Sequence, residues 1–360
     1  MRNSLILLAC ILSLMSACSG DKKPVDKSKE EFYSLMGDGT KHWSHIVQQE
    51  DRSFLEACKR VYEKSSKELA SARRSVKIPK TIHFIWLGPK AFPPESVENV
   101  RMWMAQNPDW TVKFWTDRDR PTPCRGMQKV FVKDFNFSRL GHCYIQSQNY
   151  GEKSDILRYE ILNQEGGVYV DHDANCLQPF LPLHTAYDFY CGLETPHEPF
   201  VGQSVTCGNG VIGSRPNHPA LRKVIDLIAQ HWEGLGKKYQ GRDSYSRTEV
   251  VMQRTYIALT NALKEDILNR DSNVDIVLPA SYFFAKSGMP SLYSKHFYAT
   301  AWSDQKVKSS AGEKFVQKKM DKISQKTSNM RILAFLLLAC NLSLAAALIW
   351  QLRRGDVKKA

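Results

Sequence analysis

The sequence predicts an α/β protein with a mostly parallel central sheet, and three observations predict it. A buried-type run, TIHFIWL at 81–87, is closed by Gly88 and Pro89; a helical segment, PESVENVRMWMAQNP, follows; and a second apolar run, TVKFW at 111–115, comes just after Pro108. Strand, helix and strand joined by short links make a parallel unit. A third unit repeats the theme. NYGEKSDILRYEILNQEGG has Asn149 as its N-cap, Glu152 three residues on, and the paired Gly166 and Gly167 as its stop, and it feeds the apolar run that reaches Asp171.

Taken in order, residues 1–18 read as a secretory signal: Arg2, an apolar run over 5–15, then Ser16 and Ala17 before Cys18. The layout also resembles a lipoprotein signal with Cys18 as the lipidated residue, although Met15 stands where leucine is usual. Residues 19–76 form an N-terminal helical extension, with a charged helical stretch from about 54 to 72. The α/β domain occupies 77–302. A Lys-rich and Ser-rich tether follows at 303–330, poor in apolar residues. Within 331–352, the 19 residues of 332–350 carry no charge. At about 1.5 Å per residue they just cross a bilayer core of roughly 30 Å, which predicts a transmembrane helix. Trp350 and the basic tail at 353–360 would anchor it. The protein is therefore expected on a membrane, through this helix and through Cys18 if lipidated. Its side stays open between an exported or luminal domain and a cytosol-facing, tail-anchored one.

A chain of 360 residues, 42% hydrophobic, can bury a full core, and its formal charge of +13 favours anionic partners. Much of that excess lies in the tails, and no repeat or nucleic-acid signature appears, so nucleic acid is not the implied partner. Outside the terminal segments lie six cysteines, Cys58, Cys124, Cys143, Cys176, Cys191 and Cys207, with no C-x-x-C pair. A zinc site is thereby disfavoured, while disulfides and buried thiols both stay open.

The segment GGVYVDHDANC, 166–176, holds the chemistry. On a strand, Val168 and Val170 point one way and Tyr169 and Asp171 the other, so Asp171 and Asp173 are expected on one face, about 7 Å apart. Two such carboxylates repel unless a cation or strong donors lie between them, and a hard divalent ion suits them. The bland alternative is a strand ending in a solvated Asx turn. Asp155, Arg158 and Tyr159 form a narrow helical stripe just upstream. Trp86 and Asp171 both end strands, where ligands of open α/β sheets gather. An aromatic for a base, an arginine for a diphosphate and two acids for a bridging cation describe a nucleotide-diphosphate site.

The collinear segments IPKTIHFIWLG, NPDWTVKFWTD, SDILRYEILNQEGGVYVDHD, NGVIGSRPNHP and KHFYATAW resemble the D-x-D glycosyltransferases of the yeast mannosyltransferase and clostridial glucosylating toxin type. They cover about 78–302. The resemblance implies a GT-A fold, Mn2+ (or Mg2+), a nucleotide-sugar donor and retention at the anomeric carbon. It implies a nucleotide contact at Ile85 and base stacking on Trp86, with donor sugar and phosphate contacts from Asp155 and Arg158. Tyr169 is similar to the tyrosine beside the motif, and Asn209 to a donor-facing asparagine. Asp173 corresponds to the direct metal ligand, and Asp171 to the acid that binds ribose and sugar hydroxyls and supports the metal shell. Thr300 and Trp302 correspond to the hydroxyl and tryptophan that close over the diphosphate. The toxins' acid upstream of these is absent; His296 and Phe297 stand there, and His296 either ligates the metal or packs.

The expected function is metal-dependent, retaining transfer of a sugar from a nucleotide diphosphate, UDP-sugar first and GDP-mannose second. The acceptor hydroxyl, on protein, lipid or glycan, is not legible. Two alternatives stand: a membrane-tethered lipoprotein that binds a sugar nucleotide without turnover, and a D-x-D phosphatase, whose motif continues with threonine or valine where Asn175 stands.

Overall fold

Four consecutive buried residues in the middle of β1 (Thr81–Trp86) set the architecture. A strand apolar on both faces must be covered on both, the condition of an interior strand in an α/β sheet. β2 (Thr111–Thr116) pairs with β1 in parallel and β3 (Gln128–Phe131) extends the sheet in parallel beyond β2. On the other side lies β4 (Gly167–Val170), again parallel. With β5 (Phe189–Leu193), β6 (Cys207–Ser214) and β7 (Asp275–Leu278) the order is β3-β2-β1-β4-β6-β5-β7. β6 alone runs against its neighbours β4 and β5, whereas β7 is parallel to β5. The mostly parallel sheet thus contains one reversed strand. Its first residues meet the carboxyl ends of β1, β4 and β5 along one edge.

The computed structural model describes residues 27–70, 75–199, 202–238, 244–265 and 272–299. The expected signal, tether, membrane span and basic tail lie outside the described residues, as do Thr300 and Trp302. Among the described residues no helix is long and apolar enough to cross a membrane.

The helices are α1 (Lys27–Met36), α2 (Gln49–Ser65), α3 (Lys67–Ala70), α4 (Pro94–Gln106), α5 (Gly141–Gln146), α6 (Tyr150–Glu165), α7 (Leu181–Ala186), α8 (Pro219–Lys238), α9 (Ser244–Val251) and α10 (Ile257–Lys264). α4 begins on Pro94, where a missing N–H costs nothing, and stops before Pro108, which pushes Asn107 out of helical dihedrals at φ −133°, ψ 63°. α6 is capped as expected by Asn149, whose Oδ1 accepts from Gly151 and Glu152 N–H at 2.8 and 3.1 Å. The reciprocal half of a capping box is absent. Glu152 instead takes the Ser147 hydroxyl at 2.6 Å, and Ser147 Oγ accepts the Asn149 N–H.

The N-terminal stretch starts at Gln49 rather than near 54 and breaks at Ser66. Phe54, Leu55, Cys58 and Tyr62 form its buried stripe and belong to the same apolar core as the sheet. α2 lies against β7, covering a strand that would otherwise leave an open edge. All six cysteines of the domain are free thiols, five buried and Cys124 partly so, which sets the disulfide alternative aside. Burial pushes the thiols of Cys143 and Cys176 up to about 12, so they pack as small apolar groups.

Candidate active site

Tyr169 and Asp171 share a face of β4 as the strand period demands, and the Tyr169 hydroxyl donates to Asp171 Oδ1 at 2.6 Å. There the alternation stops. β4 ends at Val170, and the Ala174 N–H closes on the Asp171 carbonyl at 3.1 Å, so the D-x-D acids lie on a turn and not along one face of a strand. That corrects the strand expectation, and the reason is partly local, since Asp and Asn favour turns. The rest is tertiary. Ser96 Oγ meets His172 Nδ1 at 2.8 Å, Asn99 Nδ2 donates to the His172 carbonyl at 3.1 Å, and Trp103 Nε1 donates to the Ala174 carbonyl at 2.9 Å. These three fall at i, i+3 and i+7, one face of α4, and that face holds the turn.

The late segment reaches the same place through an isolated bridge between Ala174 and His296, with the Phe297 N–H donating to the Asp173 carbonyl at 2.8 Å. His296 Nε2 stands 3.2 Å from Asp171 Oδ2 and 3.4 Å from Asp173 Oδ1. Ligand atoms of these three residues lie within 4.8 Å of one another. The other Asp173 oxygen accepts the Ala299 N–H at 2.6 Å. Burial works against the Asp171 charge, yet Arg158 and then His296 hold its carboxyl well below the usual carboxylate range. Burial likewise lowers His296, and the two acids outweigh it, so the ring holds a proton more tightly than a free histidine.

Gly210 shapes the space beside them. A Cβ there would stand 2.7 Å from Asp171 Oδ2 and 3.0 Å from His296 Nε2. Two carboxylates and an imidazole fit Mn2+ or Mg2+ by donor chemistry. The ring already turns Nε2 toward both acids. One exchange is required for His296 itself: Nδ1 accepts the Tyr298 N–H at 3.1 Å, which leaves the ring proton on Nε2, facing the acids. Nε2 can hold a cation only once that contact is given up.

Behind the turn sits Arg158. Its Nη2 pairs with Asp155 Oδ1 at 2.7 Å, its Nη1 donates to the Asn209 carbonyl at 2.7 Å and lies 3.3 Å from Asp171 Oδ1, and its guanidinium lies 4.2 Å from the Tyr169 ring centroid. Burial disfavours its charge, but Tyr169, Asp155 and Asp171 more than restore it. Burial raises Asp155, with Arg158 pulling the other way. The Asn209 amide donates to Asp155 Oδ1 at 3.1 Å. Both Nη atoms of Arg158 and the Asn209 amide are therefore engaged inside the protein, as a fixed polar base for the turn.

Trp86 ends β1 beside the motif, its ring centroid 4.9 Å from that of His172 and 5.5 Å from that of Phe92, neither contact stacked; its Nε1 donates to the Lys90 carbonyl at 2.9 Å. Ile85, the preceding strand residue, is buried. The structure thus brings Asp155, Arg158, Tyr169, Asp171, Asp173, Asn209 and His296 into one cluster, with Trp86 at its side. Asp171 keeps 24% of its side-chain surface, against 5% for Arg158, so Asp171 and not the arginine faces the crevice. Sequence reasoning missed Ser96, Asn99 and Gly210. Helical spacing could have flagged the first two; nothing local marks the third.

Residues 93–190 match the profile of the glycosyltransferase sugar-binding region containing DXD motif. Over 199 residues the chain is 29% identical to subversion of eukaryotic traffic protein A of Legionella pneumophila, spanning 51% of this chain and 29% of that protein. Over 157 residues it is 30% identical to mannosyl phosphorylinositol ceramide synthase CSH1 of Saccharomyces cerevisiae, spanning 43% of this chain and 36% of that protein. A solved structure titled PaToxG Glycosyltransferase aligns with 63% of this chain and 83% of its own at 21% identity and TM-score 0.42. The chain spans about a third of the length of each of these two curated relatives. The profile match takes in the helix that pins the turn, the helix that carries Arg158 and the D-x-D acids themselves, and over these residues the chain is similar to the D-x-D glycosyltransferases.

Proposed function

We propose that the protein is a metal-dependent, retaining glycosyltransferase of GT-A type that moves a sugar from a nucleotide diphosphate to a hydroxyl acceptor. The observation that carries this reading is the meeting of Asp171, Asp173 and His296 at the carboxyl edge of the sheet, with Arg158 fixed behind them. A UDP-sugar is the first donor to try and GDP-mannose the second.

When a sugar leaves a nucleoside diphosphate, negative charge grows on the phosphate and the ring gains oxocarbenium character. Asp171 and Asp173 would hold Mn2+ or Mg2+, with His296 joining once its Tyr298 contact is exchanged; the ion supplies Lewis-acid neutralisation of the diphosphate. Arg158, already oriented by Asp155 and Asp171, sets a positive potential behind the acids that needs no reorganisation as charge develops. Trp86 offers a ring edge of the crevice to the base. Attack by the acceptor from the leaving-group face requires no carboxylate nucleophile, so the paired-acid template of glycosidases does not apply. The acceptor is open; the yeast relative is named for mannosyl phosphorylinositol ceramide, which makes lipid one arm of the acceptor search beside protein and glycan. We extend the proposal to location: a membrane anchor at 331–352 behind the tether.

The test is a screen of UDP-sugars and GDP-mannose for hydrolysis with manganese and with chelator. Consumption of one donor only with metal supports the reading. Metal-independent consumption would sink it, and tight binding of a sugar nucleotide with no turnover under any condition would favour the binding lipoprotein.

A further inference from the structure

Between α9 and α10 the chain makes a π-turn, Met252–Tyr256, in which the Ile257 N–H reaches back five residues to the Met252 carbonyl. Such turns insert a residue into a helix and are kept where a side chain must be aimed. The residue aimed here is Thr255. It is fully buried, its carbonyl accepts the Tyr159 hydroxyl at 3.2 Å, and its own hydroxyl lies 2.6 Å from Asp155 Oδ2. The next residue, Tyr256, places its hydroxyl 2.9 Å from Thr206 Oγ1, so one turn ties two walls together.

The Thr255 hydroxyl also stands 2.9 Å from the Val251 carbonyl, and it has a single proton to give. The shorter contact, in the range of a hydroxyl donating to an ionised oxygen, assigns that proton to Asp155. Asp155 Oδ1 is already shared by Arg158 Nη2 and Asn209 Nδ2. Among the described residues, Thr255 is thus the hydrogen-bond donor to Oδ2. Without it a buried carboxylate oxygen loses its partner, and the carboxylate is free to rotate away from the geometry that orients Arg158.

We propose that Thr255, presented by the π-turn, is a positioning residue of the donor site: it locks the Asp155 carboxylate so that Arg158 stays aimed behind the D-x-D turn. The assignment rests on the transferase reading. Its route is Thr255 to Asp155 to Arg158 to Asp171, with no contact between Thr255 and the donor.

The experiment compares the full chain with Thr255→Val, which keeps the shape and removes the hydroxyl, and Thr255→Ser, which keeps the hydroxyl. Calorimetry reads manganese alone, then UDP and GDP in the presence of manganese, and melting temperature is recorded for each protein. The expected result is a nucleotide affinity about tenfold weaker or more in Thr255→Val, the size of a lost hydrogen bond to a charged group. Thr255→Ser is expected within about twofold of wild type, a few tenths of a kcal/mol, with manganese affinity alone unchanged in both. A purely structural role predicts otherwise: melting temperature falls in Thr255→Val while the folded protein binds nucleotide as wild type does. That outcome, or Thr255→Ser as impaired as Thr255→Val, overturns the proposal. If wild type binds manganese but neither nucleotide, the transferase reading falls and the positioning role falls with it.

Discussion

Two sets of buried titratable groups lie within the same sheet and behave in opposite ways. In the interior, His83 donates from Nε2 to the Gly166 carbonyl at 2.9 Å and accepts Trp115 Nε1–H on Nδ1 at 3.1 Å. His184 is likewise paired at both nitrogens, with the Ile78 carbonyl and the Tyr190 hydroxyl. Each ring is neutral and satisfied, and burial lowers each to about 3. At the carboxyl edge, Arg158 is paired as a charge with Asp155 and Asp171, and His296 turns Nε2 toward Asp171 and Asp173. The interior pairs stabilise a fold by staying neutral; the edge cluster keeps its charges by mutual pairing and leaves Asp171 facing the crevice.

The largest expected effect breaks the comparison on its interior side. Both histidines have folded values depressed from 6.5 to about 3, so the unfolded chain binds more protons between those limits. Their stabilisation is present above about pH 6.5 and is lost as pH falls toward 3, on the order of several kcal/mol for the pair. Urea unfolding at pH 7, 5 and 4 should show stability dropping steeply, and His184→Gln should start lower at pH 7 but fall less steeply. Parallel pH profiles in the two proteins would remove His184 from this account.

On the edge side, Asp173→Asn is expected to cost on the order of 3 kcal/mol of transition-state stabilisation, about a hundredfold in turnover, with little change in melting temperature. Asp171→Asn should do the same while also weakening donor placement. The comparison fails if manganese and nucleotide bind Asp173→Asn as tightly as wild type. Gly210→Ala sharpens the point, because its Cβ would enter the space at 2.7 Å from Asp171 Oδ2. Manganese affinity should fall about tenfold or more from a displaced ligand, while the strand still forms; unchanged calorimetric binding would count against a cation beside Gly210.

Trp86→Ala is expected to weaken nucleotide binding by roughly 1 to 3 kcal/mol, the range for a base on an aromatic ring. Equal affinity would move the base elsewhere along the crevice. The smallest expected effect belongs to truncation after Lys326, which should abolish membrane partitioning through this end and leave donor turnover as it was. Loss of turnover in a folded truncation would show that the C-terminal segment does more than anchor.

Much of the edge could be read from the sequence because its signals are local. Apolar runs bounded by Gly88 and Pro108, the cap at Asn149 and the stop at Gly166 and Gly167 each depend on a few neighbouring residues, and they place Trp86 and Asp171 at strand ends. Alternation misled only where β4 stopped one residue early and a turn took over. The N-terminal helices were legible as helices, but not as the cover of β7, since a strand's need of a cover shows only when the sheet is assembled.

The sequence by itself determined the first strand–helix–strand unit, the helix that feeds β4, the position of the two acids and the arginine stripe, because periodicity, caps and prolines act within a turn or two of chain. Tertiary structure alone decided that β6 is reversed, which carries Gly210 and the Asn209 carbonyl to the motif. It also brought His296 across 125 residues to Asp171 and Thr255 across 100 residues to Asp155. Those contacts depend on which strand edges pair and on one extra residue in a helix. A hydroxyl or a missing Cβ that matters only against a distant partner leaves no periodic mark of its own.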